Sequence, residues 1–392
     1  MCYNDNMNSG VKVSVLVPIY NVEEFLPECL DSLVGQTLKD IEIICINDGS
    51  RDSSLDIIKE YAKKDSRIVV INKKNSGYGD SMNKGLAKAS GEYVGIVESD
   101  DFIDLDAFEK MYELAKKHDV EIVKGNYYEY YGDDGRDKVV RELFSPGITN
   151  RIVDPHVDRE VFYQPPSIWA AIYKRTFLAD NGIDFLPSPG AAYQDAGFSF
   201  KTWAMARRVY IINRAFLHYR QDNANSSVKD SGKVYCVKDE HDSIEKFLIE
   251  KKLMDELGSV AFACRFGSYV WNLDRLKFRL AMEFARTAIK DYKRAKRDGY
   301  LDYERMDEIG RFIVNQEAVK HPRLHVLREL LHDTGKKCFS VFSKVLWLMF
   351  PRYRQRIRTI KYLSELRESQ DELILKLAKV ESMLGKDEKN EV

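Results

Sequence analysis

The chain has 392 residues, of which 44% are apolar, so two or three domains with a sizeable core are expected. Its 61 Lys and Arg residues nearly cancel its 62 Asp and Glu residues. The formal net charge of -1 argues against a dedicated nucleic-acid binder, because such proteins carry a strong excess of basic residues. The six cysteines show no C-x-x-C spacing, which indicates neither a zinc site nor a redox motif and favours a reducing, cytosolic compartment. Residues 1–10 have no apolar signal-peptide core and are predicted to be disordered.

Strand and helix patterns alternate from residue 11 to about residue 125. The first helical pattern is preceded by Asn21 and Glu24, which have the spacing of a capping box. Such alternation predicts an α/β fold with parallel strands covered by helices on both faces, and ligands bind outside the carboxyl ends of such strands. The five predicted strands are, in order, VKVSVLV, IEIICI, RIVVIN, YVGIV and VEIVKG.

The pattern loosens after residue 125, where YYGDDGRDK predicts a turn between strands or an exposed loop. Residues 167–182 are predicted to be helical, and a second helix is predicted for AGFSFKTWAMA. The segment VYIINRAFLHYR predicts a pair of strands. From about residue 232 to residue 333 the pattern is helical throughout, which predicts a layer of helices packed on the first domain.

The tail differs in composition, because residues 334–364 hold eight Lys or Arg residues and no Asp or Glu. The apolar stretch CFSVFSKVLWLMF is shorter than the roughly 20 residues that span a bilayer. This combination favours a basic amphipathic segment at 334–362 lying on an anionic membrane surface, and the alternative is a buried helix with a solvated basic neighbour. Leucines at 3-4 spacing over 363–384 predict a short coiled-coil-like helix within 363–392. That helix would support a homo-oligomer or pack back onto the protein.

Residues that could contact a ligand follow the first three predicted strands. Pro18 and Tyr20 come after the first strand and can form a flat apolar wall for a planar base. Asp48 follows the second strand, where a carboxylate can accept a hydrogen bond from a base N–H or a ribose hydroxyl. Asn75 and Gly77 follow the third strand, and the glycine allows close backbone approach to a ligand.

The fourth strand ends in three acids, Glu98, Asp100 and Asp101. A carboxylate cluster is costly unless a cation neutralises it, and Mg²⁺ or Mn²⁺ prefers oxygen ligands, commonly shared with substrate phosphates. The cluster therefore predicts a metal and diphosphate site. The first strand is followed by PIYNVEE, which lacks the G-x-G-x-x-G of a dinucleotide-binding domain, and the chain has no P-loop. Phosphate is therefore expected to be handled by metal.

Residues 11 to about 225 resemble a family 2 glycosyltransferase with a GT-A fold. The resemblance implies a Rossmann-like, mostly parallel sheet flanked by helices in a catalytic domain at 11–230, followed by a helical domain at 231–333. It also implies an inverting, metal-dependent transfer of a sugar from a nucleotide donor, most often linked to UDP. The segments that carry the resemblance are VSVLVPIYNVEEFLPECLDSL, INDGSRDSS, NSGYGDSMNKGLAKASGEYVGIVESDD and YQDAGFSFKTW.

The resemblance implies roles for individual residues. Asp195 would be the base that deprotonates the acceptor hydroxyl, although the family usually has Glu-Asp where this chain has Gln194-Asp195. Asp100 would be the main ligand of a Mn²⁺ or Mg²⁺ ion with help from Asp101, and Glu98 stands where Asp is more usual. The residues implied along the nucleotide donor are Pro18, Tyr20, Glu23, Asp48, Asn75, Gly77, Ser81, Glu98 and Ser99.

Three further residues each have a functional and a structural interpretation. His218 would reach the metal or the diphosphate in an enzyme of this kind, whereas a lone histidine is more often structural. Arg220 can contact a phosphate in bidentate fashion. Trp169 can stack on an acceptor sugar or belong to the core.

The predicted reaction is sugar transfer to a hydroxyl of a cell-surface polysaccharide or a lipid-linked glycan precursor. The protein is expected to be cytoplasmic, with peripheral contact at the inner face of the cell membrane. One alternative is a nucleotidyltransferase that uses the same carboxylates, but it usually carries a Gly-rich basic loop after the first strand. The other is a catalytically silent sugar-binding scaffold, for which loss of Asp100 or Asp195 would be expected.

Overall fold

A computed structural model describes residues 10–132, 139–223, 233–276 and 278–302. The predictions for residues 1–9, for most of YYGDDGRDK and for the tail beyond residue 302 lie outside the described residues, as does the predicted domain boundary at residue 230.

Among the described residues, ten strands join in one sheet and nine α-helices accompany it. The strands are β1 Val13–Ile19, β2 Ile41–Asn47, β3 Ile68–Asn72, β4 Tyr93–Ile96, β5 Phe102–Ile103, β6 Ile122–Tyr130, β7 Val139–Arg141, β8 Arg151–Val153, β9 Ala171–Lys174 and β10 Val209–Arg220. The helices are α1 Leu26–Val34, α2 Ser54–Lys64, α3 Tyr78–Lys88, α4 Ala107–His118, α5 Arg175–Asp180, α6 Gln194–Met205, α7 Cys236–Glu250, α8 Met254–Arg275 and α9 Phe278–Arg297, with a 3-10 turn at Arg159–Tyr163.

The sheet order is β3-β2-β1-β4-β9-β6-β10-β5, with β7 paired to β6 and β8 paired to β10. Strands β3, β2, β1 and β4 run parallel, and β10 runs parallel to β6. Strand β9 enters antiparallel between β4 and β6. Every residue of β1 is buried, as expected for a strand covered on both faces. The predicted fold class, an α/β sheet flanked by helices and followed by a helical region, is confirmed.

The helix predicted over residues 167–182 is wrong in its first half. Ala171–Lys174 form β9, and the helix that follows, α5, covers only Arg175–Asp180. Ala171, Ile172 and Tyr173 are buried between two neighbouring strands. A short apolar run of this kind has no period that separates a buried strand from a buried helix.

Two other local predictions are corrected. Val209–Arg220 is one long strand with register shifts between Ile211 and Leu217, not a pair of strands. Asn21 does not cap a helix, because α1 begins at Leu26 after Phe25 and no side chain caps it. Asn21 has a φ of 53°, and its side chain is used by the neighbouring loop described below.

The described part of the helical region packs through α7, which contacts α6 on one side and α8 on the other, and α8 also contacts α9. Phe284 and Tyr292 of α9 are buried, as their helical spacing indicates. Arg265 of α8 is buried with acidic partners, which satisfies its charge: Asp242, Glu245 and Asp291. Within the described residues, the helices are too short or too polar to cross a membrane.

Candidate active site

The parallel strands bring four loops to one edge of the sheet. Ile19 at the end of β1 lies opposite Asn47 of β2, which lies opposite Asn72 of β3. Strand β4 runs parallel to β1 on its other side. The segments that follow these strands therefore leave the sheet at the same edge, where ligands of such sheets bind.

The loop after β1 is fastened to the loop after β2 by reciprocal hydrogen bonds. Glu23 Oε2 accepts from Ser53 N at 2.8 Å, and Glu23 N donates to Asp52 Oδ2 at 3.0 Å. Asn21 Oδ1 accepts from Arg51 N at 2.8 Å. Glu23 was predicted to line a nucleoside pocket, and in the structure its carboxylate braces these two loops.

Pro18 and Tyr20, the predicted apolar wall, differ in exposure. Pro18 is buried within β1, whereas the Tyr20 ring is 45% exposed where the strand ends. An exposed aromatic ring at a ligand-binding edge is available for stacking, so Tyr20 is the member of the pair that can contact a base.

Asp48 is buried and holds the loop that follows β3. Its Oδ1 accepts from Ser76 N at 2.8 Å, its Oδ2 accepts from Gly77 N at 2.9 Å, and Lys73 forms an ion pair with it. These contacts use most of the capacity of a carboxylate, which was predicted to meet a base or ribose. In this structure the role of Asp48 is to anchor a loop.

The glycines after β3 serve a contact within the protein. A Cβ at Gly77, where φ is 94°, would lie 2.6 Å from Ser188 O and 2.8 Å from Gly190 N. A Cβ at Gly79 would overlap Leu186 O. Gly77 was predicted to allow a ligand close, and in the structure both glycines allow the backbone of 186–190 to approach.

Asn75 and Ser81, the other two predicted donor contacts in this stretch, have different surroundings. Asn75 is exposed, and its backbone packs against Gly49. Ser81 is buried, and its hydroxyl donates to Gly77 O at 3.0 Å. Ser81 therefore fixes the first turn of α3, and Asn75 is the one that a ligand can reach.

The acids after β4 are held close together. Burial, together with the charges of Asp100 and Asp195, raises the pKa of Glu98 to about 8 against the lowering effect of its hydrogen bond from Tyr78. Burial and the charge of Asp100 raise the pKa of Asp101, which is 1% exposed, well above its usual range. A neutralising cation would remove this repulsion.

The acid-bearing loop is positioned by the end of β10. Asp101 Oδ1 accepts from Arg220 N at 2.9 Å, and Asp100 Oδ2 accepts from Asn223 Nδ2 at 2.8 Å. Ser99 between the acids is buried. Residues of β10 and just beyond it therefore fix the directions of both Asp side chains.

Arg220, which was predicted to contact a phosphate, is held by several contacts beside the acidic loop. Its side chain is 8% exposed and lies between the rings of Phe25 and Tyr130. Its Nε donates to Asp100 O at 2.9 Å, and Glu28 forms an ion pair with it. Arg220 thus places a buried positive charge against the acidic loop and supports its backbone.

His218, the predicted metal ligand, lies in an aromatic stack. Its ring is 4.3 Å from that of Phe102 and 4.8 Å from that of Tyr128, both nearly parallel to it. Its Nε2 is 2.9 Å from Asp104 Oδ1. The structure therefore engages His218 with Asp104 beside the acidic loop, and Nδ1 is buried without a partner in the described chain.

Asp195 lies in the first turn of α6, preceded by Tyr193 with a φ of 62°. Burial raises the pKa of Asp195 to about 6, while its hydrogen bond from Ala196 N lowers it. The negative charge of Asp195 raises the pKa of Glu98 and of Tyr78. The predicted base and the acids of β4 thus lie within electrostatic reach of one another, although 94 positions separate Asp195 from Asp101.

Gln194, which stands where the family usually has Glu, makes three hydrogen bonds to the loop that precedes it. Its amide nitrogen donates to Ser188 Oγ at 2.8 Å and to Gly190 O at 3.3 Å, and its oxygen accepts from Ala192 N. Only an amide can donate and accept in this pattern. Gln194 therefore fastens the loop that packs against Gly77.

Trp169 belongs to an aromatic group beside the acids. It stacks on Tyr219 at 5.0 Å and meets Tyr127 edge to face at 4.7 Å. Burial and the charges of Asp101 and Asp100 raise the pKa of Tyr219, which places its hydroxyl near the acidic loop. Trp169 is half-buried, so the packing accounts for most of its surface.

The acidic loop has the chemistry of a divalent cation site. Among the described residues, no group of three or more His, Cys, Asp or Glu side chains has the geometry of a metal site. Mg²⁺ is commonly bound by one or two carboxylates together with substrate phosphates, so a third protein ligand is not required. Within the described part of the chain, the buried Asp101 Oδ2 has no hydrogen-bond partner, which leaves this oxygen able to bind a cation. Asp100 and Asp101 fit a Mg²⁺ or Mn²⁺ ion.

Glu240 of α7 belongs to no recognisable sequence motif, and it was not predicted to be functional. It is 1% exposed, and neither of its carboxyl oxygens has a hydrogen-bond partner in the described part of the chain. It lies against Gly197 of α6, where a Cβ would overlap Glu240 Oε2. The pKa of Glu240 is raised to about 8, mainly by burial. Lys201 opposes this rise, and three acids contribute to it: Asp195, Asp239 and Asp184.

The raised pKa of Glu240 predicts how stability depends on pH. Between about pH 4.5 and pH 8 the folded chain holds a proton on Glu240 that the unfolded chain has released. The free energy of unfolding therefore falls as pH rises through this window, by about 1.36 kcal/mol per pH unit for one such group. Glu240→Gln should reduce that slope by about this amount in denaturant titrations at several pH values. Glu250→Gln, on the same helix but exposed, should leave the slope unchanged, and an unchanged slope in Glu240→Gln would contradict the assignment.

An α/β sheet that gathers acids at the ends of parallel strands is the architecture implied by the resemblance to glycosyltransferases. The family model described as Glycosyl transferase family 2 matches residues 14–176. Glycosyltransferase GlyG of Streptococcus pneumoniae is 33% identical over 219 residues, which are 53% of this chain and 70% of that relative. The chain belongs to glycosyl transferase family 2.

Other similar proteins differ in length or are more distant. The poly(ribitol-phosphate) beta-glucosyltransferase of Bacillus spizizenii is 36% identical over 56% of this chain and 34% of its own length. The chain spans 62%, 30% and 60% of the length of three further curated relatives. The crystal structure of S. aureus TarS 1-349 in complex with UDP-GlcNAc has a TM-score of 0.48 and 20% identity, over 76% of this chain and 90% of that one.

Proposed function

We propose that the protein is a metal-dependent inverting glycosyltransferase. It transfers a sugar from a nucleotide donor, UDP-linked in the first instance, to a hydroxyl of a cell-surface polysaccharide or lipid-linked glycan precursor. The observation that carries the proposal is the shared electrostatic environment of Asp195 and the acids of β4. One carboxylate with a pKa of about 6 is suited to take a proton, and a separate acidic pair is suited to a cation.

Different residues of the chain would serve the separate requirements of a single displacement at the anomeric carbon. Asp195 accepts the proton of the acceptor hydroxyl, which then attacks the anomeric carbon as the bond to the diphosphate breaks. Asp100 and Asp101 would hold Mg²⁺ or Mn²⁺, which when bound neutralises the charge that develops on the departing nucleoside diphosphate. Tyr20 and Asn75 are exposed at the same edge and would contact the nucleoside and the rest of the donor.

The proposed acceptor class draws on two observations. A relative that is 36% identical over 224 residues is named for transfer of glucose to poly(ribitol-phosphate), a cell-envelope type of polymer. The basic, apolar segment 334–362 favours work at an anionic membrane surface on sequence grounds. Together they support an acceptor that is presented at the cell envelope.

A donor panel tests the proposal. The full chain is incubated with Mn²⁺ and each of several UDP-sugars, with GDP-, CDP- and dTDP-sugars as comparison, and release of nucleoside diphosphate is measured. At least one UDP-sugar should be consumed, and EDTA should stop its consumption. Release of pyrophosphate from a nucleoside triphosphate and a sugar phosphate would instead favour the nucleotidyltransferase.

A further inference from the structure

Tyr78, the first residue of α3, is held at three points. Its hydroxyl donates to Glu98 Oε1 at 2.6 Å, and its backbone N donates to Gly190 O at 3.0 Å. Its ring meets that of Phe185 edge to face at 5.9 Å. A side chain fixed in this way presents its hydroxyl at one position.

The hydrogen bond from Tyr78 can restrict the conformation of the Glu98 side chain. Glu98 stands where the family usually has Asp, and the additional methylene adds a rotatable bond to a side chain that Asp100 and Asp195 repel. A hydrogen bond to a carboxylate is short and about twice as strong as one between neutral groups, so it selects one conformation. Burial and the negative charges of Glu98 and Asp195 raise the pKa of Tyr78, so its hydroxyl lies within electrostatic reach of Asp195 as well.

We propose that Tyr78 is a positioning residue, whose hydroxyl fixes the Glu98 carboxylate at the end of β4 so that it can contact the donor nucleotide. The proposal rests on the proposed function and adds Tyr78 and Glu98 to it as a matched pair. A shorter Asp at position 98 would not reach the hydroxyl.

The molecule offers a matched control at the other end of the same strand. Tyr112 of α4 donates its hydroxyl to Glu92 Oε2 at 2.8 Å. Glu92 precedes β4, whereas Glu98 follows it, so the two Tyr-Glu pairs lie at opposite edges of the sheet. Tyr112→Phe removes the same type of bond far from the acids, and it therefore reports the purely structural cost.

Binding of UDP in the presence of Mn²⁺, measured by calorimetry, tests the pair without requiring transfer. Tyr78→Phe should raise the Kd for UDP about tenfold, as expected for the loss of one charge-assisted hydrogen bond. Tyr112→Phe should leave the Kd within twofold of wild type, although both variants lose some thermal stability. In the Glu98→Asp background, Tyr78→Phe should change the Kd less than twofold, because the shorter Asp side chain no longer accepts a hydrogen bond from the Tyr78 hydroxyl.

Three outcomes overturn the inference: a Tyr78→Phe Kd equal to wild type, an equal loss in Tyr112→Phe, or the same tenfold loss in the Glu98→Asp background. If Tyr78→Phe does not fold, Glu98→Asp alone breaks the bond from its other end, and an unchanged Kd there would also overturn the inference. A wild-type chain that binds no nucleoside diphosphate would overturn the proposed function itself. A wild type that binds UDP together with an unaffected Tyr78→Phe would overturn only the role of Tyr78.

Discussion

Asp100→Asn should lose transfer activity and gain stability. The neutral amide is a poor ligand for a divalent cation, so kcat/KM should fall by at least about 100-fold in the donor assay. Asp100 also raises the pKa of its buried neighbour Asp101 through repulsion. Removing that charge should raise the Tm by about 1 °C, the shift that about 1 kcal/mol produces at an unfolding entropy of about 2.1 cal/mol/K per residue. Lower activity together with higher stability would indicate that the Asp100 charge destabilises the fold but is needed to bind a cation.

The control is Asp56→Asn in α2, whose carboxylate is 82% exposed and lies outside the acidic loop. It should leave both kcat/KM and Tm close to wild type. An Asp100→Asn variant with wild-type activity in Mn²⁺ would remove Asp100 from the metal site. A fall in Tm together with activity would make Asp100 a structural residue.

Asp195→Asn should retain UDP binding and lose transfer. The amide preserves the shape of the side chain at the start of α6 but cannot take a proton from the acceptor, and positioned bases contribute about 10²- to 10⁴-fold. The pKa of about 6 adds a second expectation for the wild type. The base is charged above pH 6 and protonated below it, so kcat/KM should decline about tenfold per pH unit as pH falls below 6.

Asp255→Asn is the matched control for this variant. Asp255 is exposed and occupies the first turn of α8, as Asp195 occupies the first turn of α6, so both variants remove a charge at a helix N-terminus. Asp255→Asn should keep its activity. Transfer by Asp195→Asn at a tenth of the wild-type rate or more would assign the base to another residue.

The sequence was informative where function depends on short motifs. The alternation of strand and helix predicted which residues follow parallel strands, and the strand ends therefore predicted one edge for Asp48, Asn75 and Asp100. Periodicity failed at Ala171–Lys174, because β9 is buried between two strands and its side chains carry no alternation. Sheet order depends on contacts between distant segments, which short-range patterns do not contain.

Single residues of the site were also harder to predict where their role depends on partners that are distant in the sequence. Lys73, which pairs with Asp48, and Phe25 and Tyr130, which enclose Arg220, are partners that only the folded chain brings together. For this reason the sequence predicted ligand contacts at Asp48 and Arg220, where the structure shows anchoring. Glu240 carries no motif, and its closeness to Asp195 depends on the packing of α7 on Gly197. A Tyr and a Glu 20 positions apart gave no signal for the pair of Tyr78 and Glu98.

The central claim is that the acids after β4 hold a divalent cation for the diphosphate of a nucleotide sugar. The most direct measurement is release of UDP from a UDP-sugar by the full chain, compared in Mn²⁺ and after removal of metal with EDTA. We expect release in Mn²⁺, loss of release with EDTA, and recovery when Mn²⁺ or Mg²⁺ is returned. Release that continues at the same rate without metal would contradict it.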